Sequence, residues 1–128
     1  MPIQMIKDWL ASHKAIRVPP EIRAEFKLFY DDLLVGILSV ADGTWRFEYS
    51  EEFKKQDDLR PLLEFSDLDQ VYESKDLWQF FMMRIPSPEQ AEVEEILKRE
   101  HIEEDDAVSL LKRFGERTTA NPFRLLAA

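Results

Sequence analysis

The side chains in this chain that could carry out chemistry are few, and their spacing does not favour it. Two histidines, His13 and His101, both fall near the ends of predicted helices. A histidine there caps a helix or faces water, and neither stands in a spacing that suggests a catalytic triad or a metal site. Glu103-Glu104-Asp105-Asp106 puts four carboxylates in a row. The run lacks the alternating ligands and central glycine of a calcium loop. It precedes a predicted helix, where the dipole stabilises negative charge. Asp67 and Asp69 flank Leu68, and as a pair they could do acid–base work only inside a pocket. Gly36, Gly43 and Gly115 are too far apart to cradle a phosphate. Cysteine is absent, which excludes disulfides, zinc–thiolate sites and thiol catalysis.

Two tripeptides imitate known motifs. Arg113-Phe114-Gly115 matches the metal-binding Asp-Phe-Gly signature only in its last two residues, because arginine replaces the essential aspartate. Asn121-Pro122-Phe123 has the form of a peptide read by some trafficking domains, but a turn followed by a buried phenylalanine explains it more simply. The residues therefore imply no cofactor, no metal and no enzyme.

Residues 74–85 offer a different kind of function. Leu77, Trp78, Phe81, Met82 and Ile85 recur with helical spacing after Ser74, which can cap a helix, and Pro86 stops it. Phe80 and Met83 widen the apolar face until little of the surface is polar. A helix apolar on nearly all sides must be buried, in its own chain or against another. Packing accounts for Trp45 and Phe81. Trp78, Phe80, Met82 and Met83 are harder to bury in one small domain, and Trp and Met are types enriched where proteins meet.

The elements that must position this stretch follow from periodicity. Ile3, Ile6 and Leu10 predict an amphipathic helix over residues 2–13, and Arg17-Val18-Pro19-Pro20 predicts a stiff, extended connection. From residue 24 the period becomes two. Phe26, Leu28 and Tyr30 define one strand, Asp31-Asp32 a turn, and residues 33–40 a central strand apolar on both faces. Gly36 within it signals a bulge or a close approach. Ala41-Asp42-Gly43 reads as a hairpin turn, and Trp45, Phe47 and Tyr49 as the buried face of a third strand. Ser50 starts a helical turn. Leu62, Leu63 and Phe65 predict a short edge strand. Ser87, Pro88 and Gln90 form a capping-box start for a helix carrying Val93, Ile96 and Leu97. A last helix begins near Asp105, carries Ala107, Leu110, Leu111 and Phe114, and ends at Gly115. Asn121-Pro122 then turns the chain so that Phe123 and Leu125 add a strand.

The resulting class is α+β: a small antiparallel sheet, made of a three-strand meander plus edge strands, packed with three to four helices. Residues 1–23 form an N-terminal helix and Pro-rich connection, and residues 24–128 form the domain. The net charge of −9 argues against direct nucleic-acid binding, since nothing would replace the phosphate counterions, and permits a basic protein surface. Lys7 and Asp8 interrupt the first apolar stretch, so no signal peptide is expected, and no run reaches membrane-spanning length. With no cysteine, the composition fits a cytoplasmic protein without membrane contact.

Several of these segments together resemble a known family. Phe29-Tyr30, Leu34-Val35-Gly36-Ile37-Leu38 and Trp45-Arg46-Phe47-Glu48-Tyr49 are similar, in order and spacing, to the N-terminal subdomain of HipA-type serine/threonine kinases. Phe80-Phe81 and Pro86 match a later family pattern, while Arg84-Ile85 replaces its usual Leu-Leu. The resemblance covers roughly residues 24–126 and leaves the opening helix without a counterpart. No kinase active site can be carried over, since the family's catalytic region would follow where this sequence stops. The chain is similar to the small HipS-type antitoxins of bacterial tripartite HipBST systems. That resemblance implies an antitoxin that binds and neutralises a separate HipA-like kinase toxin, with a helix-turn-helix DNA-binding protein as a third member. An activating or scaffolding subunit of the same kinase is the alternative, and a small acid–base enzyme using Asp67 and Asp69 a third. The residues assigned to partner binding are Trp78 as anchor, with Phe80, Met82, Met83 and Pro86 around it.

Overall fold

The computed structural model describes residues 17–128. The helix expected over residues 2–13, and His13 with it, lie outside the described residues. Val18 is buried, and Ile22 N–H donates to Pro19 O at 3.0 Å, turning the chain into the first strand.

The meander forms where period-two alternation predicts it. β1 spans Ala24–Tyr30, β2 Leu33–Ala41 and β3 Thr44–Tyr49, paired antiparallel in sequence order. Asp42 and Gly43 both take positive φ, 52° and 74°, as a tight two-residue hairpin requires. A short helix α1, Glu51–Lys54, follows, and the Ser50 hydroxyl caps it by accepting Phe53 N–H at 3.0 Å. The remaining elements are β4 Tyr72–Ser74, α2 Gln79–Met82, α3 Ala91–Glu100, α4 Ala107–Phe114 and β5 Arg124–Ala127. The sheet order is β4-β3-β2-β1-β5, so β2 is central, as its apolar run implied. The architecture is α+β, with a five-stranded antiparallel sheet and, among the described residues, four helices.

One face of the sheet carries the core: Phe26 and Leu28 from β1, Leu38 and Val40 from β2, Trp45, Phe47 and Tyr49 from β3, and Leu125 from β5. Buried residues of all four helices join the same cluster. Lys27, Ile37 and Glu48 align in one row of the opposite face, and Glu25, Ser39 and Arg46 in the next.

Gly36 serves both roles its position suggested. The β1–β2 register slips there, pairing Leu28 with Gly36 but Phe29 with Leu34, so Val35 is an extra residue and turns into the core. A Cβ on Gly36 would lie 2.5 Å from Glu48 O and 2.7 Å from the tip of the Phe47 ring. The missing side chain is thus the space into which Phe47 leans. Phe47 in turn touches Phe65 at 4.5 Å, Tyr49 at 5.2 Å and Phe81 at 5.7 Å between ring centroids.

Three local expectations are corrected. The long helix over residues 74–85 does not form. Residues 72–74 pair with β3 instead, and the Ser74 hydroxyl accepts Asp76 N–H at 3.1 Å in a turn, so only one helical turn remains. Leu62, Leu63 and Phe65 are not a strand; β4 takes that edge of the sheet. α3 starts at Ala91 with Gln90 at its cap and no side-chain capping bond, because Ser87 closes a separate turn by accepting Glu89 N–H at 3.3 Å. Gly115 does end α4, but at φ −83°, so left-handed geometry is not its reason. A Cβ there would meet Leu111 O at 2.4 Å. No helix among the described residues is long and apolar enough to cross a membrane.

The Gly36 contact yields a stability prediction. Gly36→Ala should destabilise the domain by about 3 kcal/mol, since Phe47 and the β3 backbone cannot both give way. Urea unfolding followed by tryptophan fluorescence measures it. An unchanged midpoint would show that the ring has room to move.

Candidate partner-binding site

One helical turn now presents the aromatic residues. The Trp78 carbonyl accepts both Phe81 N–H and Met82 N–H at 3.0 Å, which starts α2. Trp78 offers no side-chain cap; the Phe80 N–H donates instead to Glu64 Oε1 at 2.8 Å, so a carboxylate distant in sequence satisfies the helix start. Phe81 and Ile85, four apart, point inward and are buried. Phe80 and Met83, three apart, share the outer side, where Phe80 is half-buried and Met83 is exposed.

Phe80 and Met83 line an open groove of about 460 Å³ together with Pro61, Leu63 and Phe123. Arg60 and Glu64 supply its charge. Of the residues expected to bind a partner, Phe80 and Met83 are therefore brought together. Met82 is buried in the core at 9% exposure. Trp78 is half-buried with its ring edge-on to Phe65, centroids 5.0 Å apart, and lies outside the groove's lining, as does the half-buried Pro86.

Leu63 and Phe123 are groove residues that sequence reasoning missed. Leu63 is fully exposed, which for a leucine between the buried Leu62 and Phe65 needs a cause. The buried Tyr49 hydroxyl supplies it. It accepts Leu62 N–H at 2.9 Å and donates to Phe65 O, and Phe65 N–H donates to Leu62 O at 2.9 Å. Both ends of a tight turn are pinned inward, so its middle must point out. Burial is also the main reason the Tyr49 phenol is pushed up to about 12, which keeps it a neutral donor. Phe123 was expected to be buried after Asn121-Pro122. It is half-buried, edge-on to Phe80 at 5.8 Å and tilted against Tyr30 at 5.5 Å.

Arg84 was missed as well. It is a buried charged residue at 3% exposure, and among the described residues no carboxylate meets it. Its Nη1 donates to Gly115 O at 3.0 Å and Glu116 O at 3.2 Å, and its Nη2 to Asn121 Oδ1 at 3.1 Å and Phe123 O at 2.9 Å. Its Nε is buried without an acceptor. Its Cζ lies 5.6 Å from the centre of the Phe80 ring. Burial pushes the guanidinium down to about 10, so it stays charged at neutral pH. The only sequence signal was an arginine inside an apolar run, a pattern that equally describes a side chain reaching back to water.

The other chemical candidates are spent locally. Asp67 and Asp69 are exposed, and Asp67 Oδ1 accepts Asp69 N–H at 2.9 Å in a solvated turn. Asp106 caps α4 by accepting Ser109 N–H at 3.1 Å, while Glu103, Glu104 and Asp105 are exposed. His101 ends α3 at φ 57° and faces solvent. Arg113 Nε reaches both Glu100 carboxylate oxygens, at 2.8 and 3.0 Å, tying α4 to α3. Among the described residues, no group of three or more His, Asp or Glu side chains could hold a metal ion.

Arg84→Met leaves four oxygens without their donor, offset in part by removing a desolvated charge. It should destabilise the domain by roughly 2–3 kcal/mol in urea unfolding. A loss below about 0.5 kcal/mol would mean that water replaces the guanidinium at no cost.

Comparison with curated proteins returned no match. The family model of the HipA N-terminal domain matches residues 26–120. That span holds the meander, β4, α2 and the groove residues Leu63, Phe80 and Met83, and it stops short of Phe123. With most of its length matched, the chain belongs to the HipA N-terminal domain family.

Proposed function

We propose that this chain is a non-enzymatic binding protein that docks on a separate HipA-like serine/threonine kinase and neutralises it, as an antitoxin. The observation that carries this reading is an exposed apolar groove on a domain whose family is associated with such kinases. Leu63 is fully exposed and Met83 is exposed beside Phe80, although the same chain buries a full aromatic core. Apolar side chains left out of a core in this way gain most by entering a partner's surface. A net charge of −9 favours a partner with a basic face. The same charge makes direct DNA contact unfavourable, so a helix-turn-helix protein would be reached through the complex.

In this reading Phe80, Met83, Leu63 and Phe123 form the contact. Trp78 and Pro86 lie outside the groove's lining, and Met82 belongs to the core. Asp67 and Asp69 sit in a solvated turn, which gives an acid–base enzyme no pocket to work in. Isothermal calorimetry with the HipA-like kinase that co-purifies from the native host tests the surface. Leu63→Asp should abolish measurable binding, and Phe80→Ala should cost about 2–4 kcal/mol. Trp78→Ala should weaken binding less than Phe80→Ala, because much of its ring already packs on Phe65. Full affinity in Leu63→Asp would move the contact off this groove.

A further inference from the structure

We infer that Arg84 is a positioning residue for the groove: it holds Phe80 and Phe123 in the edge-on ring contact that lines it, so affinity depends on an arginine the partner does not touch. This rests on the docking surface proposed above. The two touching rings come from distant parts of the chain, and one planar group reaches both residues. The guanidinium lies over the Phe80 ring, its Cζ 5.6 Å from the ring centre. It donates to Phe123 O at 2.9 Å. Asn121 Oδ1 completes the grip, accepting Arg84 Nη2 and Phe123 N–H, each at 3.1 Å. Both backbone polar groups of Phe123 are therefore fixed by the Arg84–Asn121 pair, while its half-buried ring is held only in part by packing.

The chemistry argues for position rather than for bulk or charge. A cation buried without a counter-ion carries a desolvation cost that an apolar side chain of similar volume would avoid, so the site uses this residue for its hydrogen bonds. Charge alone does not explain the site either, because every partner is a neutral oxygen. Arginine offers donors in a rigid fork, and its two terminal nitrogens reach two separate pairs of acceptors. A lysine is a point donor and cannot span them.

The test compares Arg84→Met, Arg84→Lys and Leu63→Asp in the full chain. Without partner, NMR of each variant reads the Phe80–Phe123 ring contact and the Met83 methyl shift, with β1–β3 amide shifts reporting the fold. With the co-purified HipA-like kinase, calorimetry reads affinity. Both Arg84 variants should keep the β1–β3 shifts, lose the ring contact, move the Met83 methyl and bind at least about tenfold more weakly. Rescue by lysine would assign the effect to charge, and rescue by methionine to packing; either overturns the inference. Full affinity in both Arg84 variants with binding lost in Leu63→Asp overturns positioning and leaves the docking surface standing. Full affinity in all three overturns the docking surface and the inference with it. Asn121→Ala removes one acceptor and leaves the arginine in place. If an Arg84 variant fails to fold, an undisturbed ring contact in Asn121→Ala overturns the inference by itself.

Discussion

A charge that meets no counter-charge among the described residues sits where the second half of this fold closes. Arg84 is desolvated, and four oxygens from residues 115, 116, 121 and 123 stand in for water. Such oxygens, if buried unpaired, would each cost a sizeable part of the domain's stability. The guanidinium ties the irregular segment after α4, most of whose residues are exposed, back onto the domain through its oxygens. Glu116 O also accepts Leu125 N–H at 2.9 Å, so the same segment delivers β5 to the edge of β1. The completed sheet, the end of α4 and the far wall of the groove all meet at this one side chain.

The exposed groove is a consequence of how the core is built. Gly36 leaves room for Phe47, and Phe47 organises Phe65, Tyr49 and Phe81 around it. The Tyr49 hydroxyl then closes the turn that carries Phe65, and closing it pushes Leu63 outward. Phe81 and Ile85 are drawn in, which leaves Phe80 and Met83 on the other side of the same short helix. Buried polar groups thus decide which apolar residues face water. That is the physical link from core packing to a surface able to bind.

How much of this could be read from the sequence depends on the range of each interaction. The meander was legible because alternation is local: Trp45, Phe47 and Tyr49 face inward whatever the rest of the chain does. Gly36, Asp42-Gly43 and Ser50 were legible because a bulge, a tight turn and a helix start each demand particular residues on the spot. Residues 74–85 misled because their helical period is real but their first residues are captured by the edge of β3. Leu63 and Phe123 were invisible as groove residues, since each is placed by a buried donor or acceptor far away in sequence. Arg84 was read as a departure from a family pattern, when its fork matches acceptors thirty-one to thirty-nine residues downstream. The family resemblance and the α+β class were recoverable from short motifs in order; the geometry of the contact surface was not.

Membership of the HipA N-terminal domain family supports the proposed class of partner, and the apolar lining of the groove supports the proposed mode of binding. The central claim is that this contact silences a kinase. The most direct measurement is a titration of the HipA-like kinase with the purified chain, following phosphate transfer from labelled ATP. Activity should fall linearly to background as the chain saturates the kinase, and the Leu63→Asp chain should leave it untouched. Kinase activity that persists, or rises, in a saturated complex would contradict neutralisation and identify the chain as an activating or scaffolding subunit.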